Sequence, residues 1–377
     1  MKVCHVISDL QAGGAERMLE RLVLRTTALG IDNTIVTLRP AEGAIREALE
    51  AAGVRVRVFA IQPMSLGALV EVGSLWRWFR RTRPDIVQTW MYHANVVGGL
   101  VARAAGRSRV VWNIRTGAPL QDVKPETLWV ARLGAMSARW LSAAIVANAE
   151  AGRRAHVALG YPADRFHVVA NGFDVNVHKP DAAARSSLRC ELGVPDHAML
   201  IGLVANFRPV KDHSGFLTAA GQLSRHRPDV HFVLAGEGVT PSTSDLVSRI
   251  EALRLTHRVH LLGLRSDTAR IFAGLDVLTL NSRREGFPNV LGEAMACAVP
   301  CVTTDVGDAA LIVGDTGIVV KPGDPAALAD AWRTLLDMDE EARRDLGRRA
   351  RERVIAHYAL DRIVDEYLTL YRAVIDG

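Results

Sequence analysis

Short runs of β-branched and other apolar residues alternate with stretches of helical spacing along residues 1–170. The runs predicted as strands are KVCHVIS, NTIVTL, VRVRVF, DIVQTW, RVVWNI and AAIVANA. Segments between them, such as Ala15–Leu29 and Ser65–Arg81, show the apolar periodicity of amphipathic helices. Because strands that alternate with helices form parallel sheets, the pattern predicts an α/β domain.

The same alternation restarts in the second half of the chain with AMLIGLVANF, VHFVLAG, RVHLLG, LDVLTLN and VPCVTTD. These runs predict a second parallel sheet. The segment between the two patterns contains Gly172 and Pro180 and little periodic apolar content, so it is a predicted linker. We therefore expect an N-terminal domain over 1–170, a linker over 171–180 and a C-terminal domain over 181–359. A last helical stretch, 360–377, follows with no strand after it and is free to return to the N-terminal domain.

Length and composition agree with two domains in the cytoplasm. A chain of 377 residues fits two domains of about 100–200 residues each, and its hydrophobic content of 49% is ample for burial. No apolar run approaches the roughly 18 residues of a membrane span, and MKVCHVISDL lacks the features of a signal peptide. The four cysteines show no CxxC pair or metal-ligand spacing and are predicted to be buried apolar residues: Cys4, Cys190, Cys297 and Cys301.

Positive charge is concentrated in the first half of the chain. Residues 1–170 hold 22 Lys and Arg against 13 Asp and Glu, whereas residues 171–377 hold 24 against 28, which gives net charges of +9 and −4. A basic half suits an anionic surface or an anionic acceptor. Nucleic acid is not expected as a partner, since no motif supports it.

Two helical segments in the basic half combine an apolar stripe with arginines. The first has the stripe Leu69, Val72, Trp76 and Phe79 beside Arg77, Arg80 and Arg81; the second has Trp129, Leu133, Met136 and Trp140 beside Arg132 and Arg139. Such helices lie on anionic membranes, and the same pattern fits core packing with a solvated basic face. Peripheral contact with the inner face of the cytoplasmic membrane is the expectation that follows from the first interpretation.

Two loops at the ends of predicted strands are suited to phosphate. Gly13 and Gly14 lie between a strand and a helix, where free amides and the helix dipole attract anions, although a tight turn explains them equally well. The motifs GxGxxG and GxxxxGK[ST] are absent, which disfavours nicotinamide and ATP. Arg208 and Lys211 follow AMLIGLVANF at the carboxyl end of a predicted parallel strand, where ligands bind. Two cations at this position suit a diphosphate. The alternative is that they are solvated surface charges.

The stretch REGFPNVLGEAMA places two carboxylates around a strand-to-helix loop. Glu285 lies in the predicted loop and Glu293 on the following helix, with no charged residue between them. The loop amides can hold an anion while one carboxylate bonds hydroxyls near the turn and the other bonds hydroxyls further along. A sugar joined to a nucleotide through a diphosphate has that layout.

The E-x7-E motif of Glu285 and Glu293 resembles the signature of retaining glycosyltransferases of the GT-B architecture, which include many polysaccharide and lipopolysaccharide sugar transferases. GGAER at 13–17, NGFD at 171–174 and GDPAALADAW at 323–332 extend the resemblance along nearly the whole chain. It implies an α/β fold of two Rossmann-like parallel-sheet domains facing a cleft. It also implies a nucleotide-diphosphate sugar as donor and a saccharide or lipid-linked saccharide as acceptor.

The resemblance also implies roles for individual residues. Glu285 would bond the hydroxyls of the donor sugar, Glu293 those of the ribose, and Arg208 with Lys211 the diphosphate. Further donor-binding positions are Gly13, Gly14, Arg115, Gly236, Gly286, Phe287, Pro288, Asn289 and Val290, and the backbone near Leu264 and Arg265 would hold the base. Many relatives carry a histidine near the sugar at the end of the fifth strand, where this chain has Arg115. His93 is the nearest substitute by position, and both a catalytic and a structural role remain open for it.

The chemistry expected from these residues is same-face substitution at the anomeric carbon. No residue on the sugar side is marked as a nucleophile, so the departing diphosphate would be stabilised by Arg208, Lys211 and helix amides and would take the proton of the acceptor. Neither a metal nor another cofactor is expected, because these positive side chains and helix dipoles would replace a metal ion. Two alternatives stay open: a nucleotide-sugar epimerase of the same architecture, for which the N-terminal half offers His5 and His93, and a non-catalytic nucleotide-sugar binding protein.

Overall fold

The protein forms two compact units in the computed structural model. The model describes residues 1–11, 13–61, 66–107, 109–116 and 125–377. Unit 1 consists of Met1–Gly172 and Leu360–Gly377, and unit 2 of Phe173–Ala359. The chain thus leaves unit 1 within the predicted linker 171–180 and returns to it with the last helix.

Unit 1 is built on a seven-stranded parallel sheet with the order β3-β2-β1-β4-β5-β6-β7. Its strands are β1 (Lys2–Ile7), β2 (Asp32–Thr37), β3 (Arg55–Val58), β4 (Ile86–Trp90), β5 (Val110–Ile114), β6 (Ala144–Ala147) and β7 (Phe166–Val168). Its helices are α1 (Gly14–Ala28), α2 (Ala44–Ala51), α3 (Leu66–Thr82), α4 (Met91–Ala104), α5 (Pro125–Leu141), α6 (Glu150–Ala158) and α15 (Leu360–Asp376). Ser65, the predicted start of α3, lies outside the described residues.

Unit 2 contains a six-stranded parallel sheet with the order β10-β9-β8-β11-β12-β13. Its strands are β8 (Met199–Val204), β9 (Val230–Ala235), β10 (Val259–Leu261), β11 (Val277–Leu280), β12 (Cys301–Thr304) and β13 (Gly317–Val320). Its helices are α7 (Ala182–Leu192), α8 (His213–Leu223), α9 (Ser244–Ala252), α10 (Thr268–Gly274), α11 (Asn289–Ala296), α12 (Ala309–Val313), α13 (Pro325–Asp337) and α14 (Glu340–Tyr358). The prediction of two parallel-sheet α/β domains is therefore confirmed.

The strand orders locate a crevice at one edge of each sheet. In unit 1 the chain builds outward from β1 to β3 and then crosses to β4 on the other side of β1. In unit 2 it builds outward from β8 to β10 and then crosses to β11 on the other side of β8. The loops that follow the two central strands diverge at such a switch point, and the crevice at their carboxyl ends is where open α/β sheets bind ligands.

Separate apolar cores cover both faces of each sheet. In unit 2, Trp332 of α13 is fully buried against Phe216 and Phe232, and its indole N–H donates to Thr279 Oγ1 at 2.8 Å. In unit 1, α15 packs through buried Tyr367 on the face that also carries α1 and α2. Phe173 is fully buried in unit 2, so the chain becomes part of that unit directly after Gly172.

One sequence-based expectation about burial is wrong. Cys190 is exposed on α7, whereas Cys4, Cys297 and Cys301 are buried as expected. The stripe on α3 combines the two interpretations left open by the sequence, because Phe79 is fully buried beneath the helix while Leu69 is 72% exposed. Helix α3 packs on the sheet through its second half, and its first turns leave their apolar side chains in contact with solvent.

Candidate functional site

The loop between β8 and α8 presents two cations at the switch point of unit 2. Arg208 is exposed, and Lys211 ends the short 3-10 turn Pro209–Lys211. The next residue, Asp212, has a left-handed backbone with φ of 48° and caps α8 by accepting from the Gly215 amide at 3.0 Å. Aspartate tolerates this conformation because its short side chain bonds nearby backbone groups. The turn thus holds Lys211 at the end of the strand.

Glu285, in the loop after β11, contacts the loop that follows the neighbouring strand β8. Its carboxylate lies 2.5 Å from Lys211 Nζ and accepts from Ser282 Oγ at 2.6 Å. The side chains of Glu285 and Lys211 are 14% and 26% exposed, so the pair is partly shielded from water. Residues 74 positions apart in the sequence therefore meet in the crevice that the strand order indicates.

The loop that carries Glu285 is braced by the segment after β12. Thr304 Oγ1 donates to the Ser282 carbonyl at 2.6 Å, and the Asp308 amide donates to the Gly286 carbonyl at 3.0 Å. Gly307 has φ of +57°, and a Cβ there would overlap the carbonyl oxygens of Glu285 and Gly286. Glycine is required at 307 for this close approach. Gly307 was not among the predicted site residues.

Helix α11 begins directly after this loop and directs its first amides toward the same edge. Its N-cap is Pro288, which offers no side-chain cap, and the Leu291 amide donates to the Pro288 carbonyl at 3.3 Å. The partial positive charge of the helix dipole at this end favours an anion. Leu291 and Met295 are fully buried, and Glu293 is half-buried on the same helix.

The ends of β9 and β10 complete this edge of the unit 2 sheet. Gly236 has φ of +152°, and a Cβ there would overlap the Ala205 carbonyl, so glycine is needed for the close approach to the β8 loop. Leu264 is 76% exposed after β10. The guanidinium of Arg265 binds Asp267 and Glu191, each at 2.8 Å, so its side chain already has acidic partners. The predicted role of Arg265 through its backbone is compatible with these contacts.

The turn between β1 and α1 places a carboxylate in the crevice of unit 1. A Cβ at Gly13 would overlap the Glu16 carboxylate, so Glu16 folds back over the glycine turn. Burial raises the pKa of Glu16, the charge of Asp9 adds to the effect, and the charge of Arg115 opposes it. Sequence analysis missed Glu16, although GGAER includes it.

Arg115 binds within unit 1 at the end of β5. Its guanidinium donates to Asn113 Oδ1 and to Tyr367 Oη, both at 3.1 Å, and also to Asn171 Oδ1. It lies over the ring of Trp90 at 5.2 Å, and burial lowers its pKa. Arg115 therefore fastens α15 and the last residues of the first chain segment to β5. Its predicted contact with a donor stays a prediction.

His93 lies at the carboxyl end of β4, beside the unit 1 switch point. It is exposed in the first turn of α4, and Met91 before it has the left-handed φ of 70°. Partial burial of the ring lowers the pKa of His93, and the charge of Arg39 lowers it further. His5, in contrast, is buried in β1 between Asn33 and Trp90, and burial lowers its pKa to about 4. His5 is therefore a structural histidine.

An exposed apolar and basic surface covers one helical face of unit 1. The exposed apolar residues of α3, α4 and α5 are Leu69, Val70, Leu100, Trp129, Met136 and Trp140. Among them Trp129, Met136 and Trp140 are 64%, 81% and 79% exposed. Within the described ranges, no helix is long and apolar enough to span a membrane, and no three His, Cys, Asp or Glu side chains are grouped as metal ligands.

Two family models match the two halves of the chain. The model described as Glycosyltransferase Family 4 matches residues 12–177, and the model described as Glycosyl transferases group 1 matches residues 198–338. N-acetyl-alpha-D-glucosaminyl L-malate synthase of Bacillus anthracis is 34% identical over 50% of this chain and 49% of its own length. The alignment therefore spans about half of this curated relative. The putative glycosyltransferase EpsF of Bacillus subtilis is 26% identical over 81% of this chain and 79% of its own.

Crystal structures of HepE from Anabaena resemble the whole chain. The complex of HepE with UDP has a TM-score of 0.87 and 26% identity, over 99% of this chain and 100% of HepE. The complex of HepE with UDP-glucose has a TM-score of 0.82 and 25% identity, over 98% and 99% of the two chains.

Proposed function

Because the chain belongs to the GT-B glycosyltransferases of the family 4 type, we propose that it transfers a sugar from a nucleotide-diphosphate sugar to a saccharide or lipid-linked saccharide. We further propose that transfer retains the anomeric configuration and needs no metal. The observation that carries the proposal is the contact of Lys211 with Glu285 at the switch point of unit 2. It joins a cation for phosphate and an acceptor for hydroxyl groups in one crevice.

The residues of this crevice suit the parts of such a donor. Arg208 is exposed beside Lys211, and both can bind the diphosphate together with the first amides of α11. Glu285 can accept hydrogen bonds from the sugar hydroxyls, and Glu293 from those of the ribose. Lys211 has three N–H groups, so it can keep its contact with Glu285 while it donates to phosphate. HepE, which is similar over its whole length, binds UDP and UDP-glucose, which favours a uridine-diphosphate sugar as donor.

The proposed reaction exchanges one bond at the anomeric carbon for another on the same face. The bond between that carbon and the diphosphate oxygen breaks, the acceptor oxygen forms the new bond, and the acceptor proton goes to the departing diphosphate. Negative charge grows on the diphosphate during this step, where Arg208, Lys211 and the helix amides stabilise it. The burial of His5 disfavours the epimerase alternative, because that histidine cannot exchange protons with a substrate.

A screen of nucleotide sugars by thermal denaturation tests the proposed donor class. A ligand at a hundred times its dissociation constant stabilises the folded protein by about 2.7 kcal/mol. We expect one or more nucleotide-diphosphate sugars to raise the melting temperature, and the best of them to be consumed when acceptors are supplied. If no such compound stabilises the protein or is consumed, the proposed function is wrong.

Transfer is expected to persist in a strong chelator such as EDTA. The reason is that Arg208, Lys211 and the helix amides provide the positive charge that a divalent cation would otherwise supply. The measurement is the rate of transfer before and after dialysis against EDTA. If EDTA abolishes transfer and added magnesium or manganese restores it, the proposal of metal independence is wrong.

Peripheral contact with an anionic membrane is a further part of the proposal. The exposed aromatic and aliphatic side chains of α5 lie in the basic half of the chain, and Arg132 and Arg139 are exposed on the same helix. On α3, Arg77, Arg80 and Arg81 are exposed as well. Aromatic side chains beside arginines are typical of helices that lie on anionic lipid.

Replacing Arg77, Arg80 and Arg81 together with glutamine is expected to weaken binding to anionic vesicles on the order of a hundredfold. Each cation near such a surface contributes about 1 kcal/mol, and salt weakens the attraction because the screening length is about 8 Å at physiological ionic strength. Cosedimentation with anionic and neutral vesicles measures the effect. The matched control is a variant in which three other exposed arginines, Arg154, Arg225 and Arg372, are replaced with glutamine. Equal binding of the wild type to both kinds of vesicle would contradict the prediction.

A further inference from the structure

A basic pocket lies at the amino-terminal edge of the unit 1 sheet, at the strand ends opposite to the crevice beside Gly13 and His93. Its cavity volume is about 370 Å³. The first residues of β1, β2 and β3 line one side, and the last turn of α3 lines the other. The polar and aromatic lining residues are Lys2, Asp32, Thr34, Arg55, Arg57, Trp78, Arg81 and Thr82.

The parallel register of three strands builds the floor and one wall of this pocket. Cys4 pairs with Thr34, and Thr34 pairs with Arg55, so these three residues form a row across the sheet. Cys4 and Thr34 are buried, at 1% and 8% exposure, and form the floor. Arg57 follows Arg55 at the strand spacing of two residues, so both arginines lie on the same face of β3. The strands thus present two guanidinium groups to one concavity.

Positively charged side chains outnumber carboxylates in the lining of the pocket. Lys2, Arg55, Arg57 and Arg81 face one lining carboxylate, Asp32, which Arg55 binds at 2.7 Å. Within the described part of the chain, Lys2, Arg57 and Arg81 form no ion pair. The nearby Asp85 accepts from the backbone amide of Lys2 at 2.7 Å.

Helix electrostatics do not account for this excess. The carbonyl end of α3 attracts cations in its last turn and can explain Arg81. Lys2 and Arg57 come from strands, where no helix dipole acts on them. Like charges gathered around a concave wall repel one another, so the pocket is suited to an anion that neutralises them.

We propose that this pocket binds a phosphate group carried by a small organic molecule or by a lipid headgroup. Arg57 and Arg81 supply planar forks for phosphate oxygens, and Lys2 supplies a third charge from β1. Trp78 provides an apolar wall for the organic part of the ligand. The pocket is built from residues of unit 1 and the proposed donor crevice from residues of unit 2, so the inference does not depend on the proposed donor or reaction.

Stabilisation by inorganic phosphate tests the pocket directly. The full-length protein is melted in a phosphate series and in chloride of equal ionic strength. The double variant Lys2→Gln and Arg57→Gln is compared with the wild type and with the control Arg154→Gln and Arg372→Gln, which has the same change in charge. We expect the pocket variant to bind phosphate at least tenfold more weakly, because it lacks two of the charged groups that donate to the phosphate oxygens. Phosphate bound in the donor crevice affects all three proteins equally and cancels in the comparison.

Vesicles of phosphatidylcholine, with and without phosphatidic acid, identify the source of the phosphate. A tenfold loss of binding to the phosphatidic acid vesicles in the pocket variant, but not in the control, supports a lipid headgroup. Weaker binding of soluble phosphate with unchanged vesicle binding supports a free phosphorylated molecule. Equal phosphate and vesicle binding by the two double variants would overturn the proposal, whatever the result of the nucleotide-sugar screen.

Discussion

Replacing Lys211 with alanine is expected to lower the rate of sugar transfer by about 10²–10³, since removal of one preorganised donor to developing negative charge has effects of that size. Lys211 lies at the switch point of unit 2 and is held there by Glu285. The loss should appear mainly in kcat, because the charge on the diphosphate grows as its bond to the sugar breaks. Initial rates at saturating donor measure it.

The matched control for this variant is Lys321→Ala. Lys321 is exposed and follows β13 at the carboxyl edge of the same sheet. β13 is an outer strand, and β11 and β12 lie between it and β8. Its replacement is expected to leave the rate within a few-fold of the wild type. If Lys211→Ala retains near-normal turnover, or if both variants lose activity equally, the assignment of Lys211 to the diphosphate is wrong.

Replacing Glu285 with alanine is expected to lower kcat/KM by roughly 10- to 100-fold, because hydrogen bonds from sugar hydroxyls to a charged carboxylate contribute about 1.5–3 kcal/mol each. The variant also leaves Lys211 without its partner. Since the two side chains are in contact, the effects of Glu285→Ala and Lys211→Ala should not add, and the double variant should lose less than the product of the single effects. A full double-mutant cycle measures this coupling.

Glu251→Ala, at an exposed position on α9, serves as the control for loss of a carboxylate in unit 2. Circular dichroism and melting temperature confirm that each variant is folded. Independent, fully multiplicative effects of Glu285 and Lys211 would contradict a shared role at one ligand.

The strands that run through the interior of each sheet could be predicted from the sequence, because they are short, largely apolar runs rich in β-branched residues and buried on both faces. β4 and β5 are fully buried along their whole length, for example. The outer strands β7 and β13 were not predicted, although β3 and β10 at the opposite edges of the two sheets were. β7 and β13 have three and four residues and include exposed positions, so their apolar pattern is weak.

The position of the candidate site could be predicted in part. A loop that follows a parallel strand lies at the ligand edge, so Arg208, Lys211 and Glu285 could be assigned to that edge from local sequence. The contact between Lys211 and Glu285 could not, because it depends on β11 being the neighbour of β8. Strand order is a tertiary property that apolar periodicity does not encode.

The contacts of Gly307 and Arg115 also depend on residues that are distant in the sequence and could not be predicted from it. The need for glycine at 307 arises from a close approach to the loop of Glu285, 22 positions earlier in the sequence. The partners of Arg115 include Tyr367, which is 252 positions away on α15. Nothing in VVWNIRTG indicates that the guanidinium will be bound by the last helix of the chain.

A crystal structure of the protein with UDP shows whether the carboxyl edge of β8 and β11 binds the diphosphate of the donor. We expect the diphosphate to lie within hydrogen-bond distance of Arg208, Lys211 and the first amides of α11, with the ribose hydroxyls at Glu293. A nucleotide bound elsewhere, for example in the basic pocket of Lys2 and Arg57, with the β8–β11 crevice empty, would contradict this expectation.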